Sequence, residues 1–319
     1  MTAYLVSMAT FVGFFMLLAL ALNLQWGMTG MVNFGIAGFY ALGAYTSALL
    51  SVKLGMPLWF AMPAGAVAGL VAGALVALLS IRLSGDFLAI VTLGFGEFVR
   101  LVALNEDWLT EGPRGLKIDA RPFADVFSRE AYPLVYLGLV AATVAVAFVV
   151  AERIRRAPLG RTLRAIREDA VVAEVLGKNV LLHRVTVFAI GAAFMGAAGA
   201  LYAHYVQNIS PQVFMPMVAI FIWMSVIVGG PGNNWGLMLG AGLVMAILEG
   251  TRFLGDFIDW LDAEKLSAIR VILIGILLIV IIRLRPRGVM PEPRFRYGGG
   301  AAAMAGPTED EVIGRGDTP

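Results

Sequence analysis

The sequence predicts an all-α polytopic membrane bundle of about 7–10 transmembrane helices, a range that leaves room for re-entrant breaks and is set by how many roughly 20-residue apolar segments it holds. Composition points there first. Of 319 residues, 59% are hydrophobic and 14% charged, with a mean hydropathy of +0.82. A soluble domain carries about 25% charged residues. The second observation is how the charges fall. None occurs in the first 52 residues, in 131–151, or from Val185 to Leu248. The third is a basic island, RIRRAPLGRTLRAIREDAVVAEVLGKNV at 153–180, set between two such charge-free runs.

Candidate spans are 4–24, 34–52, 58–80, 87–104, 133–151, 184–206, 213–229, 235–250 and 267–283. The first lacks the positive leader of a cleavable signal peptide and reads as a retained span. Small residues recur in GAVAGLVAGA (65–74) and GAAFMGAAGA (191–200), a composition that lets membrane helices approach closely. Two Gly/Asn-rich breaks, GMTGMVNFG (27–35) and GGPGNNWG (229–236), are either ordinary turns or unwound backbone facing a cavity. If 213–229 and 235–250 form a re-entrant hairpin, the crossings fall from nine to seven and both termini keep their sides.

Lys and Arg near span ends mark the cytoplasmic side. Residues 152–184 carry Arg153, Arg155, Arg156, Arg161, Arg164, Arg167, Lys178 and Arg184, and Arg283 precedes LRPRG at 284–288. Four spans separate these two basic segments, so both fit on the cytoplasmic side. Segment 105–132 lies one span upstream and is net acidic, which places it and the N-terminus outside. The membrane-spanning body is therefore 1–289, with a cytoplasmic loop at about 152–183. Residues 290–319 have too little apolar content to pack and read as a disordered cytoplasmic tail.

Within the island, Leu159, Leu163, Ile166, Ala170 and Ala173 recur at helical spacing and form one narrow apolar stripe. Asp169 can cap a second short helix that ends at Gly177. A structured, basic, striped loop either docks on a partner or lies on anionic headgroups.

The motifs then carry a resemblance. GRTLRAIREDAVVAEVLGKNV (160–180), DFLAIVTLGFGEFVRLV (86–102) and TEGPRGL (110–116) resemble the permease subunits of branched-chain amino acid ABC importers. NFGIAGFYALGAYTSALL (33–50), ISPQVF (209–214), VIVGGPGNNWG (226–236) and LRPRG (284–288) follow in the order seen in that family. The resemblance spans about residues 20–290. It implies a bacterial-type inner membrane, a sister permease, two ATPase subunits and an extracytoplasmic substrate-binding protein as partners. It also implies that Gly160, Arg161, Leu163, Arg164, Ile166, Arg167, Glu168, Asp169, Ala173, Glu174 and Gly177 form the ATPase-coupling element. Related permeases that import urea or short amides share these motifs.

The chain lacks catalytic equipment of its own. A phosphate-binding loop needs G-x-x-x-x-G-K-[ST]. Here Gly177-Lys178 is followed by Asn179, with Val172 where the first glycine belongs. We expect no cofactor and no metal in this chain, with ATP used by partner subunits. There is no cysteine, and His183 and His204 are the only histidines. The basic balance, net +2, belongs to loops beside spans and not to a nucleic-acid surface.

Glu97 and Arg100 stand three residues apart in an otherwise apolar span, on neighbouring helix faces. Either alone costs about 2.5–3.5 kcal/mol at the bilayer centre. They form a structural pair, or a gate or subunit contact toward the outer end of the span. Asn33, Asn233 and Asn234, in the two breaks, complete the candidate pathway residues. A stand-alone secondary carrier or channel is the rival class; the scarcity of mid-membrane charge weighs against it.

Overall fold

The computed structural model describes residues 2–80, 85–123, 127–128, 130–255 and 263–292. The elements are α1 (Thr2–Leu22), a π turn (Asn23–Gly27), α2 (Ile36–Val52), α3 (Leu58–Ser80), α4 (Gly85–Asn105), α5 (Asp107–Thr110), β1 (Leu116–Lys117), α6 (Tyr132–Arg156), α7 (Pro158–Glu168), α8 (Ala170–Val175), α9 (Val180–Val206), β2 (Asn208–Ile209), α10 (Met217–Gly229), α11 (Asn234–Gly255) and α12 (Ala263–Leu284). The helical bundle expected from the sequence is what forms.

Among the described residues, five helices are long and apolar enough to span a bilayer: α1 with its π turn, α3, α4, α6 and α9. Both α11 and α12 have 22 residues, whereas α2 has 17 and α10 only 13. At 1.5 Å per residue α10 covers roughly 20 Å, less than a hydrocarbon core of about 30 Å. It nonetheless does not make a re-entrant hairpin with α11. The latter lies antiparallel to α1 from one end of the bundle to the other: Asn23 Nδ2 donates to Asn234 Oδ1 at 2.9 Å, and Tyr4 OH donates to the Glu249 carbonyl at 3.0 Å.

The centre is α9, packed between α2 and α3. Glycine makes that approach possible. A Cβ on Gly43 would lie 2.1 Å from the Gly196 carbonyl oxygen, and one on Gly69 would lie 2.4 Å from the Ala192 oxygen. In lipid, where apolar side chains gain nothing by leaving water, such backbone-to-backbone packing supplies much of the association energy. The small-residue faces read from the sequence meet here.

One feature was not expected from the sequence, and one open alternative is decided. The all-α expectation omits a two-residue antiparallel ribbon, Leu116↔Ile209 and Lys117↔Asn208, which ties the TEGPRGL and ISPQVF motifs together. The first break is also deeper than a turn. After the π turn, residues 30–35 are non-helical; Met31, Asn33 and Gly35 are buried, Asn33 completely so, and Gly30 is exposed. Protein groups meet several of the segment's polar needs, as unwound chain within a membrane requires. Trp223 Nε1 donates to the Asn33 carbonyl at 2.9 Å, Phe34 N donates to Thr92 Oγ1 at 3.0 Å, and Asn33 Nδ2 donates to Gln25 Oε1 at 2.7 Å.

Candidate functional site

The basic island folds as two short helices wedged between α6 and α9. Pro158 sits in the first turn of α7, where its missing N–H costs nothing. Gly160 is buried against the end of α6: a Cβ there would lie 2.4 Å from the Arg155 carbonyl oxygen. Asp169 ends α7 and caps α8, its carboxylate accepting from Val171 N at 2.9 Å and Val172 N at 3.0 Å. At the far end Gly177 takes φ +78°, and Lys178 N and Gly177 N return to the carbonyls of Ala173 and Glu174. That pair of bonds is a Schellman termination. Both turns follow the cap chemistry that Asp169 and Gly177 offer in the sequence.

The apolar stripe faces inward. Leu163 is fully buried and packs with Leu24, Met28, Ala151 and Val187, while Ile166 and Ala173 are also buried. The stripe, expected to face a partner or anionic headgroups, is thus the seam holding α7 to its own membrane helices. The outward face belongs to α8 and the start of α9. Val171, Val172, Val175, Leu176, Leu181 and Leu182 are all exposed, Val175 by 82%. Arg161, Glu168, Asp169, Glu174 and Gly177 are exposed around them, and Arg164 and Arg167 are half-buried. Four apolar residues in AVVAEVLG, none of them on the Ala170–Ala173 side, were the available signal.

Beneath α7 a polar network joins four parts of the chain. Asn234 bridges Asn23 to Glu152, donating to Glu152 Oε2 at 3.0 Å. Glu152 also receives Arg155 Nε at 2.8 Å and Arg156 Nε at 2.6 Å. Asn23 Oδ1 accepts from Gly232 N at 2.8 Å. Asn233 caps α11 through Trp235 N at 3.1 Å and donates to the Pro291 carbonyl. Arg167 donates to the Gly27 carbonyl through Nη1 and pairs with Glu292 at 2.8 Å through Nη2. Residues 290–292, at the start of the expected tail, are therefore held against this end; residues 293–319 lie outside the described residues. Asn33, Asn233 and Asn234 each spend their side chains on the chain's own structure.

Glu97 and Arg100 are different. They form a two-bond fork, Nε to Oε2 at 2.9 Å and Nη2 to Oε1, on the least enclosed of the long spans. Two grooves of about 640 and 620 Å³ also open on the bundle surface, one along α1 and α6, the other along α3, α6 and α9. Their linings are overwhelmingly apolar and suit lipid tails better than an amino acid.

Residues 4–282 match the family described as "Branched-chain amino acid transport system / permease component". The chain belongs to this permease family. It is 34% identical to the high-affinity branched-chain amino acid transport system permease protein LivM of Escherichia coli (strain K12), over 93% of this chain and 73% of that protein. It is 26% identical to LivH of the same organism, over 87% of this chain and 91% of that one. The guanosine ABC transporter permease protein NupQ of Bacillus subtilis (strain 168) is 27% identical over 60% of this chain and 66% of its own. No solved structure matches the permease. Family and fold together make it a multi-pass membrane protein.

Proposed function

We propose that this permease is the membrane-spanning subunit of an ATP-driven importer of branched-chain amino acids in a bacterial-type inner membrane. It works beside a sister permease, two ATPase subunits and an extracytoplasmic binding protein. It is not itself an enzyme and holds no cofactor; ATP is used by the ATPase subunits. The likeness to both LivM and LivH, two permeases of one organism, favours pairing with a related chain. The island and the segment around residues 283–287 lie at one end of the bundle, linked through Arg167 and Glu292, and both are basic. That asymmetry favours a cytoplasmic position for this end and for the C-terminus.

The observation that carries the reading is the exposed apolar face of α8 standing on a helix whose other side is locked into the membrane bundle. Such a face in water costs free energy unless covered, and an ATPase subunit on the cytoplasmic side is the cover proposed here. The test is co-purification of the ATPase subunits with the permease. Val175→Asp with Leu176→Asp should abolish co-purification and leucine uptake while the permease stays inserted. Unchanged co-purification would contradict the reading.

A further inference from the structure

We infer that the Glu97–Arg100 pair on α4 is a binding station for the zwitterionic head of the transported amino acid, on a face of α4 that borders the translocation path. The inference rests on the import reading above and adds the place where this chain meets its substrate.

The protein contains two pairs of the same construction, and the contrast between them carries the argument. On α6, Glu152 and Arg155 form the same fork at the same three-residue spacing, with side chains 14% and 11% exposed. Asn234 and Arg156 complete that site, and it is part of the fold. On α4 the side chains of Glu97 and Arg100 are 36% and 18% exposed, and among the described residues no third polar group joins them. A structural pair in a membrane helix turns inward or gathers partners, because charge facing hydrocarbon is costly. This one is only partly turned inward and, among the described residues, gathers no further partner.

Its open edge has a definite chemistry. Of the five guanidinium N–H groups, the fork uses two. The remaining three, two on Nη1 and one on Nη2, present a side suited to a carboxylate. Each Glu97 oxygen keeps a lone pair that can accept from an ammonium. An α-amino acid carries these two groups on one carbon, so a single molecule can satisfy both edges. Neither a simple anion nor a simple cation can.

The surroundings suit the rest of such a molecule. Gly94 lies one turn before Glu97, with nothing within 4 Å of where a Cβ would stand. Leu93, Phe98 and Leu101 are exposed beside the pair. They offer apolar contact to an aliphatic side chain without enclosing it, which leaves closure to the sister permease across the path.

The natural absence of cysteine supplies the test. Gly94→Cys is placed in the permease, assembled with cysteine-free sister permease and ATPases in nanodiscs, and exposed to a cationic, water-soluble thiosulfonate. We expect labelling, slowed severalfold by millimolar leucine but not by 4-methylpentanoate or 3-methylbutylamine, which carry one charge each. Glu97→Gln should remove the protection and keep the labelling; Glu97→Asp, which preserves the charge if the glutamine variant folds poorly, should retain part of it. Absence of labelling, labelling indifferent to leucine, or equal protection by the singly charged analogues would each overturn the station. ATP-dependent leucine uptake by the unsubstituted complex with its binding protein is measured in parallel. Its loss would count against the import reading, whereas retained uptake without protection would count against the station alone.

Discussion

Arg167, on the amphipathic helix α7, donates through Nη1 to the carbonyl of Gly27, the last residue of the π turn that ends the first membrane helix. Its other nitrogen holds Glu292, in the segment that follows the last helix. One side chain therefore ties the α7–α8 platform to both ends of the transmembrane sequence. Asn23, in the same π turn, passes the connection to α11 through Asn234. A rigid-body displacement of α7 would be felt by α1 and α11 without passing through a flexible loop.

Arg167→Ala is expected to uncouple these parts. Hydrogen bonds to a charged group are worth about 1.5–3 kcal/mol, so the bundle should fold while the link is lost. ATPase subunits should still co-purify, and uptake should fall severalfold. Arg167→Lys should not restore it, because an ammonium lacks the planar fork that reaches two acceptors at once. Measuring co-purification and uptake on the same preparations separates docking from transmission.

The two sides of the island should respond in opposite ways. Leu163→Asp places an unpaired carboxylate among Leu24, Met28 and Val187, and the yield of folded permease should drop sharply. Val171→Asp changes an exposed residue and should leave yield and thermal stability in detergent within about 0.5 kcal/mol of the parent. Uptake should nonetheless suffer. Gel-filtration yield and uptake for each variant provide the comparison.

Helix packing gives a sharper structural test. Gly43→Ala drives a Cβ toward the Gly196 carbonyl oxygen, 2.1 Å away with no flexible atom to yield. Overpacking of this kind costs about 1–3 kcal/mol. Gly242→Ala, on α11, meets nothing within 4 Å and should be neutral or slightly stabilising. Detergent melting curves should separate the two by several degrees.

Much of this was legible in the sequence because a bilayer imposes simple rules. Charge-free runs located the helices, and the Arg-rich island and LRPRG fell at one end of the bundle, where counting spans put them together. Asp169 and Gly177 announced the two turns of the island through cap chemistry. The direction of the stripe was not legible. A stripe of Leu163 and Ile166 says that one face is buried but not against what, and here it is buried against the chain itself. The roles of Asn33, Asn233 and Asn234 were hidden for a related reason: a polar residue in an apolar segment signals a partner without naming it. Theirs came from segments 58 to 211 residues away, from their own turns, or, for Asn33, from Gln25 in the preceding π turn, whereas among the described residues Glu97 found only Arg100. The ribbon between Lys117 and Asn208 is too short for any periodicity to reveal.

On the import reading proposed above, energy enters from outside this chain, through the α7–α8 platform. The permease sequence holds no phosphate-binding motif and few ionisable groups along its spans; on that reading the partner supplies different contacts in inward- and outward-facing states. The most direct measurement is leucine uptake into proteoliposomes holding the permease, its sister, the ATPases and the binding protein. Uptake should require internal ATP and persist when ionophores collapse the proton and sodium gradients. Gradient-driven uptake by this permease reconstituted alone would contradict the account.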